Sequence, residues 1–136
     1  MIFDTQNLLS DAQAITATAA STNVLNLSPI ATGIVRDIGK GKQIPLLVQV
    51  VEAFNNLTSL GVALQVDSDE AFGTPKTVWS NTVLFADLKA GKVVVPEYIT
   101  RGTDERYLRL NYTVTGTAPT TGKITAGVTM GNQSNG

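Results

Sequence analysis

The sequence predicts an all-β fold, a jelly-roll-like antiparallel β-sandwich with seven or eight short strands. Three observations support this prediction. Val, Ile and Thr, whose branched side chains favour strands, are abundant. Long runs of Ala, Leu, Glu and Lys, which favour helices, are missing. From Ser59 onward, apolar and polar residues alternate in short segments separated by turn-forming residues, as in sheets with one buried face.

The N-terminal region has the weakest pattern. Residues 1–10 show no clean period, which fits either an arm that orders on a partner or a first strand or short helix packed on the same chain. A brief strand around Gln13–Ala19 and another near Val24–Ser28 are expected to follow.

The central segment Gln43–Ala53 is a nearly continuous apolar run that predicts a buried strand. Pro45 has no N–H to donate to a neighbouring strand, so the strand is expected to begin at a sheet edge or a bulge. A helix is the alternative, but Asn55, Asn56 and Gly61 leave it little room before the next strand.

The clearest strands lie in the second half of the chain. Leu60–Val66 and Tyr107–Thr115 alternate strictly, and Lys123–Met130 alternates again after the turn-rich stretch Gly116–Gly122. The last two strands are therefore predicted to form a long hairpin. The residues expected to face the core are Leu60, Val62, Leu64, Val66, Leu108, Leu110, Val114, Ile124, Ala126 and Val128.

Two shorter strands near Lys76–Trp79 and Lys92–Val95 complete the predicted sheets. A chain of 136 residues supports one hydrophobic core rather than two, so residues 1–136 are expected to form a single domain. Residues 131–136 contain no apolar side chain to bury and predict a loose C-terminal tail.

Composition argues against several functions. Charged residues make up 15% of the chain, ten basic against eleven acidic, which disfavours nucleic acid as a partner. Without cysteine or histidine, the chain lacks the usual thiol and imidazole groups for catalysis, and no cofactor is expected. Met1–Gln6 carries no secretion signal, and no apolar run is long enough to cross a membrane. We expect a soluble protein synthesised in the cytoplasm of its host.

Three polar segments are candidates for a ligand-binding or catalytic site. Gly33–Gly41 is superficially like a phosphate loop, but its spacing is wrong and a mobile turn at Gly39–Lys42 is the better interpretation. Asp67–Glu70 could bind calcium, yet it lacks the EF-hand glycine and distal glutamate, which favours a solvated loop. Asp104–Arg106 is interpreted as a charged turn rather than a glycosidase acid pair.

Both ends of the chain resemble the capsid cement proteins of Bordetella-phage type. At the N-terminal end the similar segments are Phe3–Thr16 (FDTQNLLSDAQAIT) and Ser21–Leu27 (STNVLNL). At the C-terminal end they are Arg106–Tyr112 (RYLRLNY), Gly116–Lys123 (GTAPTTGK) and Ile124–Gly127 (ITAG). The resemblance implies a jelly-roll-like sandwich that assembles as an oligomer on the outer face of a tailed-phage capsid and bridges neighbouring capsomers.

The resemblance leads us to expect a structural virion protein and no enzyme. Its partners would be the major capsid protein and copies of itself, with a dimer favoured over a trimer. The residues considered as capsid or subunit contacts are Ile2, Phe3, Leu8, Leu9, Lys40 and Lys42.

Two other classes of function remain open from the sequence. The first is a carbohydrate- or receptor-binding β-sandwich module, which would need an exposed platform built from aromatic rings such as those of Trp79, Tyr98, Tyr107 and Tyr112. The second is a small glycosidase-like or metal-dependent enzyme, which would need carboxylates that converge in a pocket.

Overall fold

The computed structural model describes residues 3–27, 44–94, 98–100 and 102–129, with side chains from residue 8 onward. The predicted loose tail at 131–136 lies outside them. The described residues form eight strands and one short 3₁₀ helix (Phe85–Asp87). The strands are β1 (Phe3–Ala14), β2 (Ala19–Ala20), β3 (Leu25–Asn26), β4 (Leu46–Glu52), β5 (Leu57–Asp67), β6 (Lys76–Leu84), β7 (Tyr107–Gly116) and β8 (Lys123–Thr129).

The strands form two antiparallel sheets, which confirms the predicted all-β sandwich. The smaller sheet has the order β1-β8-β4, and the larger has the order β2-β7-β5-β6, with β3 also paired to β7. Among the described residues, no helix has the length and apolar character needed to cross a membrane.

The described residues share one hydrophobic core, which lies between the two sheets. Leu110 and Leu64 from the larger sheet and Val48 and Ile124 from the smaller one have no exposed surface. All ten residues predicted to face the core contribute to it; Val114 and Val128 are partly buried and pack against it, and the other eight are fully buried. The alternation of the sequence therefore predicted correctly which side of each strand is buried.

The predicted hairpin of β7 and β8 is wrong, because the two strands lie in different sheets. β7 pairs with β5 and β8 pairs with β1 and β4. The residues between them, 117–122, cross the end of the sandwich. Both strands point their apolar side chains at the same core from opposite sides, and alternation alone cannot distinguish this arrangement from direct pairing.

Side chains from the end of β4 and from the loop that follows it hold this crossing in place. The Asn55 Oδ1 atom accepts hydrogen bonds from the backbone N–H groups of Thr120 (2.8 Å) and Thr121 (3.2 Å). The Glu52 Oε1 atom accepts one from the N–H of Gly122 (3.1 Å). Gly122 has a φ of 131°, and a Cβ atom at this position would overlap the ring of Phe54. The crossing is thus locked to the loop that joins β4 and β5.

Two predicted strands differ in extent from those observed. The strand predicted at Lys76–Trp79 continues to Leu84, as β6. Of the strand predicted at Lys92–Val95, the described residues 92–94 form a bridge between Val93 and Gln49, and Val95 lies outside the described residues. Hydrogen bonds from Val50 N to Lys92 O (2.9 Å) and from Val94 N to Val48 O (2.8 Å) still attach this segment beside β4.

The first strand, one of the two alternatives considered for the N-terminal region, is present from Phe3. It pairs with β8 and carries Leu9 and Ser10 into the interior, where neither has exposed surface. The Ser10 hydroxyl donates to Gln13 Oε1 (2.7 Å), and Tyr112 Oη lies 2.8 Å from the same hydroxyl. Since Ser10 already uses its proton, Tyr112 donates to Ser10. The bond connects the two sheets across the core.

Replacement of the buried tyrosine, Tyr112→Phe, is expected to change how stability depends on alkaline pH. Burial raises the pKa of Tyr112 above its ordinary value of 10.0. The unfolded chain therefore loses this proton first, so the stabilisation is complete below about pH 10 and declines as pH rises above it. The melting temperature of the wild type should fall more steeply above about pH 10 than that of the variant. Parallel curves would contradict the buried, protonated state.

Candidate interaction surface

The contact residues suggested by the sequence are only partly covered by the structure. Ile2, Lys40 and Lys42 lie outside the described residues, as does the whole of the glycine-rich segment at 33–41. Phe3 begins β1, but its side chain is not described. Leu8 is half-buried and Leu9 has no exposed surface, so in this conformation Leu9 contributes to the core of its own chain.

The acidic segment Asp67–Glu70 forms a hydrogen-bonded loop. The Asp67 carboxylate accepts bonds from the backbone N–H groups of Thr74 (2.9 Å) and Asp69 (3.1 Å). These bonds, that from Thr74 above all, lower the pKa of Asp67, although burial acts in the opposite direction. Within the described part of the chain, no group of three or more Asp or Glu side chains is arranged to hold a metal ion. Asp67 organises the loop between β5 and β6.

The charged turn before β7 links three strands. Asp104 Oδ1 lies 2.9 Å from Lys76 Nζ at the beginning of β6. Arg106 Nε donates to Asn26 Oδ1 on β3 (3.2 Å), and its guanidinium lies 5.1 Å from the centre of the Tyr107 ring. The turn therefore ties β3, β6 and β7 together at one end of the larger sheet, as expected of a structural turn.

The four aromatic residues that could have formed a carbohydrate platform differ in burial, and only Tyr107 and Tyr112 share a strand, β7. Tyr112 is buried, and Trp79 and Tyr107 are half-buried. Tyr98 is exposed but pairs with Pro45 beside the smaller sheet. Within the described residues these rings do not form an exposed coplanar set.

A small cleft lies between β6 and the segment that follows the 3₁₀ helix. It has a volume of about 140 Å³ and is lined by Asn81, Thr82 and Val83 on one side and by Asp87 and 92–94 on the other. Asp87 is its only carboxylate among these residues, so the cleft does not bring together the acid pair that glycoside hydrolysis requires.

The larger sheet presents a broad outer surface, which we call the sheet face. Its residues alternate with the buried ones on the three adjacent strands, and cross-strand register places them in rows, for example Thr82 beside Gly61 and Gly61 beside Thr113. The sheet face consists of Thr77, Ser80, Thr82 and Leu84 from β6, Ser59, Gly61, Ala63 and Gln65 from β5, and Arg109, Asn111, Thr113 and Thr115 from β7.

The sheet face is accessible and carries almost no charge. Thr77, Ser80, Thr82, Thr113 and Thr115 are exposed. Ser59 is buried, the remaining members are small, polar or aliphatic and at least partly accessible, and Arg109 is the one charged residue of the twelve. Short side chains on a twisted sheet leave a low, even relief, which suits contact with another flat surface rather than with a small ligand.

Arg109 is held against the protein at one end of the sheet face. Its Nε atom donates to Gln65 Oε1 (3.0 Å), and its guanidinium lies 4.2 Å from the centre of the buried Phe72 ring. Partial burial lowers the pKa of Arg109, while the charge of Asp67 acts in the opposite direction. The one cation of the sheet face is therefore already engaged by its own chain.

Apolar side chains stand at the other end of the sheet face, where β6 meets the 3₁₀ helix. Leu84 is 61% exposed and Phe85 is 46% exposed. Leu84 pairs across the sheet with Ser59, which places it in the last row of the sheet face. Leu84 and Phe85 are thus two consecutive residues that expose large apolar side chains at this end of the sheet face.

The sequence alone predicted part of the sheet face. Alternation placed Arg109, Asn111, Thr113 and Thr115 on the outer side of their strand. It did not show which strands are neighbours, and it missed the extension of β6, because the polar residue Asn81 occupies an inward-facing position beside Val62. A continued β-branched pattern at Thr82 and Val83 was the signal available for that extension.

Comparisons with known proteins place the chain in a family. No curated protein matches the sequence. The model of the Bbp16 family matches residues 9–128, which is most of the chain and includes all the strands of both sheets apart from the first residues of β1 and the last residue of β8. The chain therefore belongs to the Bbp16 family, a family of Bordetella phage proteins.

Proposed function

We propose that the protein is a structural component of the virion that binds the outer surface of a tailed-phage capsid and stabilises it by bridging capsomers. Its partners are the major capsid protein and further copies of itself, with a dimer favoured over a trimer. The role requires no catalysis and no cofactor. Membership of a phage protein family is compatible with this role.

The observation that carries the proposal is the sheet face. Protein interfaces are depleted of charged residues at their centres, and the centre of the sheet face, around Gly61, Thr82 and Thr113, has none. Such a surface favours a protein partner over nucleic acid, which is bound mainly through cationic groups.

The rigidity of the sandwich supports a bridging role. A bridge resists displacement of capsomers only if its own loops are rigid. At the end of the sandwich that carries Leu84, hydrogen bonds join the described loops to one another. Phe54 N donates to Leu88 O (3.1 Å), and Asn55 holds the crossing between β7 and β8. Each contact can be weak, because many copies act together on one shell.

Removal of the protein is expected to make virions less resistant to heat. Virions from a phage that lacks the gene should release their DNA at a temperature several degrees lower, and addition of the purified protein should restore the original value. The measurement is the fluorescence of a DNA-binding dye during heating. Equal release temperatures with and without the protein would contradict a stabilising role.

A further inference from the structure

We propose that the sheet face is the surface through which the protein contacts the assembled capsid shell, with Leu84 as its apolar anchor. This inference rests on the proposed function and deepens it, because it names the surface and the character of the partner. The occupant is a flat, uncharged region of the major capsid protein, presented in many copies.

The charge distribution supports this choice of partner. Exposed charged residues such as Asp69, Glu70, Lys89 and Lys92 lie in loops beyond the strands that form the sheet face. Lys76, the first residue of β6, is exposed but forms an ion pair with Asp104. Arg109 is already engaged by Gln65 and Phe72. A docked partner would thus meet hydroxyl, amide and methyl groups, and a charge on the partner would lose its solvation without an opposite charge to pair with.

The size of the sheet face indicates a partner present in many linked copies. Three strands about 4.8 Å apart, each contributing about seven residues at roughly 3.3 Å per residue, cover roughly 330 Å². A stable interface between two isolated proteins buries about 800 Å² of accessible surface on each partner, and a footprint of this size supplies only part of that area. Such a contact suits a partner that is engaged several times at once, because linkage between the copies of an oligomer raises the effective concentration.

Leu84 provides the apolar contact that the rest of the sheet face lacks. Its side chain is 61% exposed and projects from a strand that is paired with β5 over most of its length, so it is presented on a rigid backbone. The backbone that carries this anchor therefore needs little ordering on binding. Phe85, 46% exposed, extends the apolar area beyond the end of the strand.

The test is a binding titration on capsids purified from a phage that lacks the gene. Labelled protein is added and the bound fraction is measured by co-sedimentation. The double variant Thr82→Arg with Thr113→Arg places two charges beside Gly61. We expect it to bind at least about tenfold more weakly than the wild type, because both charges would be buried without partners. Leu84→Ala, which removes an exposed side chain, should weaken binding about threefold to tenfold.

The matched control is Thr22→Arg with Thr117→Arg, which adds the same charge at two exposed positions outside the sheet face. It should bind as the wild type does, and all variants should keep the melting temperature of the wild type. If the wild type binds and both sheet-face variants bind equally well, the sheet face is not the docking surface, while the proposed function stands. If the wild type itself does not bind, the proposed function fails and this inference fails with it.

Discussion

Truncation of the central core residue, Leu110→Ala, is expected to lower the free energy of unfolding by about 2–5 kcal/mol. Leu110 has no exposed surface and pairs with Leu64 in the middle of the larger sheet, opposite the side chains of the smaller one. Neighbouring strands cannot collapse into the resulting cavity without breaking their pairing. Urea denaturation followed by tryptophan fluorescence of Trp79 measures the loss.

Thr115→Ala is the control for this variant, because Thr115 is exposed on the same strand. Its effect should stay within about 1 kcal/mol. Arg109 would be a poor control even though it also points away from the core, since it packs on Phe72 and bonds to Gln65. Equal, large losses in Leu110→Ala and Thr115→Ala would show that the buried side of β7 has been assigned wrongly.

Substitution of the glycine that ends the crossing, Gly122→Ala, is expected to cost about 2–5 kcal/mol. Two effects combine at this position. The φ of 131° is unfavourable for any residue with a Cβ atom, and the added methyl group would overlap the buried ring of Phe54. The ring cannot move freely, because it fills the core beneath the loop that joins β4 and β5. Thermal and urea denaturation measure the loss.

Gly91→Ala separates the two effects. Gly91 also has a positive φ, 96°, but an added Cβ atom would meet nothing within 4 Å. This variant should lose only the backbone contribution, about 1–2 kcal/mol. If the two alanine variants lose the same stability, the packing of Phe54 against the crossing is not as described.

The regular strands were predictable because their faces differ in environment. Leu60–Val66 and Tyr107–Thr115 lie in the middle of the larger sheet, with one side against the core and one side outward, and this produces alternation in the sequence. The same reasoning could not find the partner of each strand. β8 faces β7 across the core instead of pairing with it, and both arrangements place Ile124 and Leu110 inside.

The N-terminal strand was not predictable from periodicity for a structural reason. Its pairing with β8 changes register three times, between Phe3 and Leu8, between Leu8 and Ser10 and between Ser10 and Gln13. Ala12 also adopts a φ of 45°, which interrupts the extended backbone. A strand with so many irregularities shows no period of two, although Leu9 is fully buried.

The candidate surface was predictable only in part. The outward side of β7 followed from alternation, but an interaction surface requires knowledge of neighbouring strands. The row formed by Thr82, Gly61 and Thr113 is assembled from residues far apart in the chain. The exposure of Leu84 depends on where β6 ends, and the sequence pattern predicted an earlier end.

The number of copies in purified virions tests the central claim most directly. Quantitative mass spectrometry gives this number relative to the major capsid protein. If the protein binds capsomers over the whole shell, we predict a copy number in proportion to that of the capsid protein, on the order of hundreds per particle. A handful of copies per particle, as expected for a tail component, or complete absence from purified virions, would contradict the account.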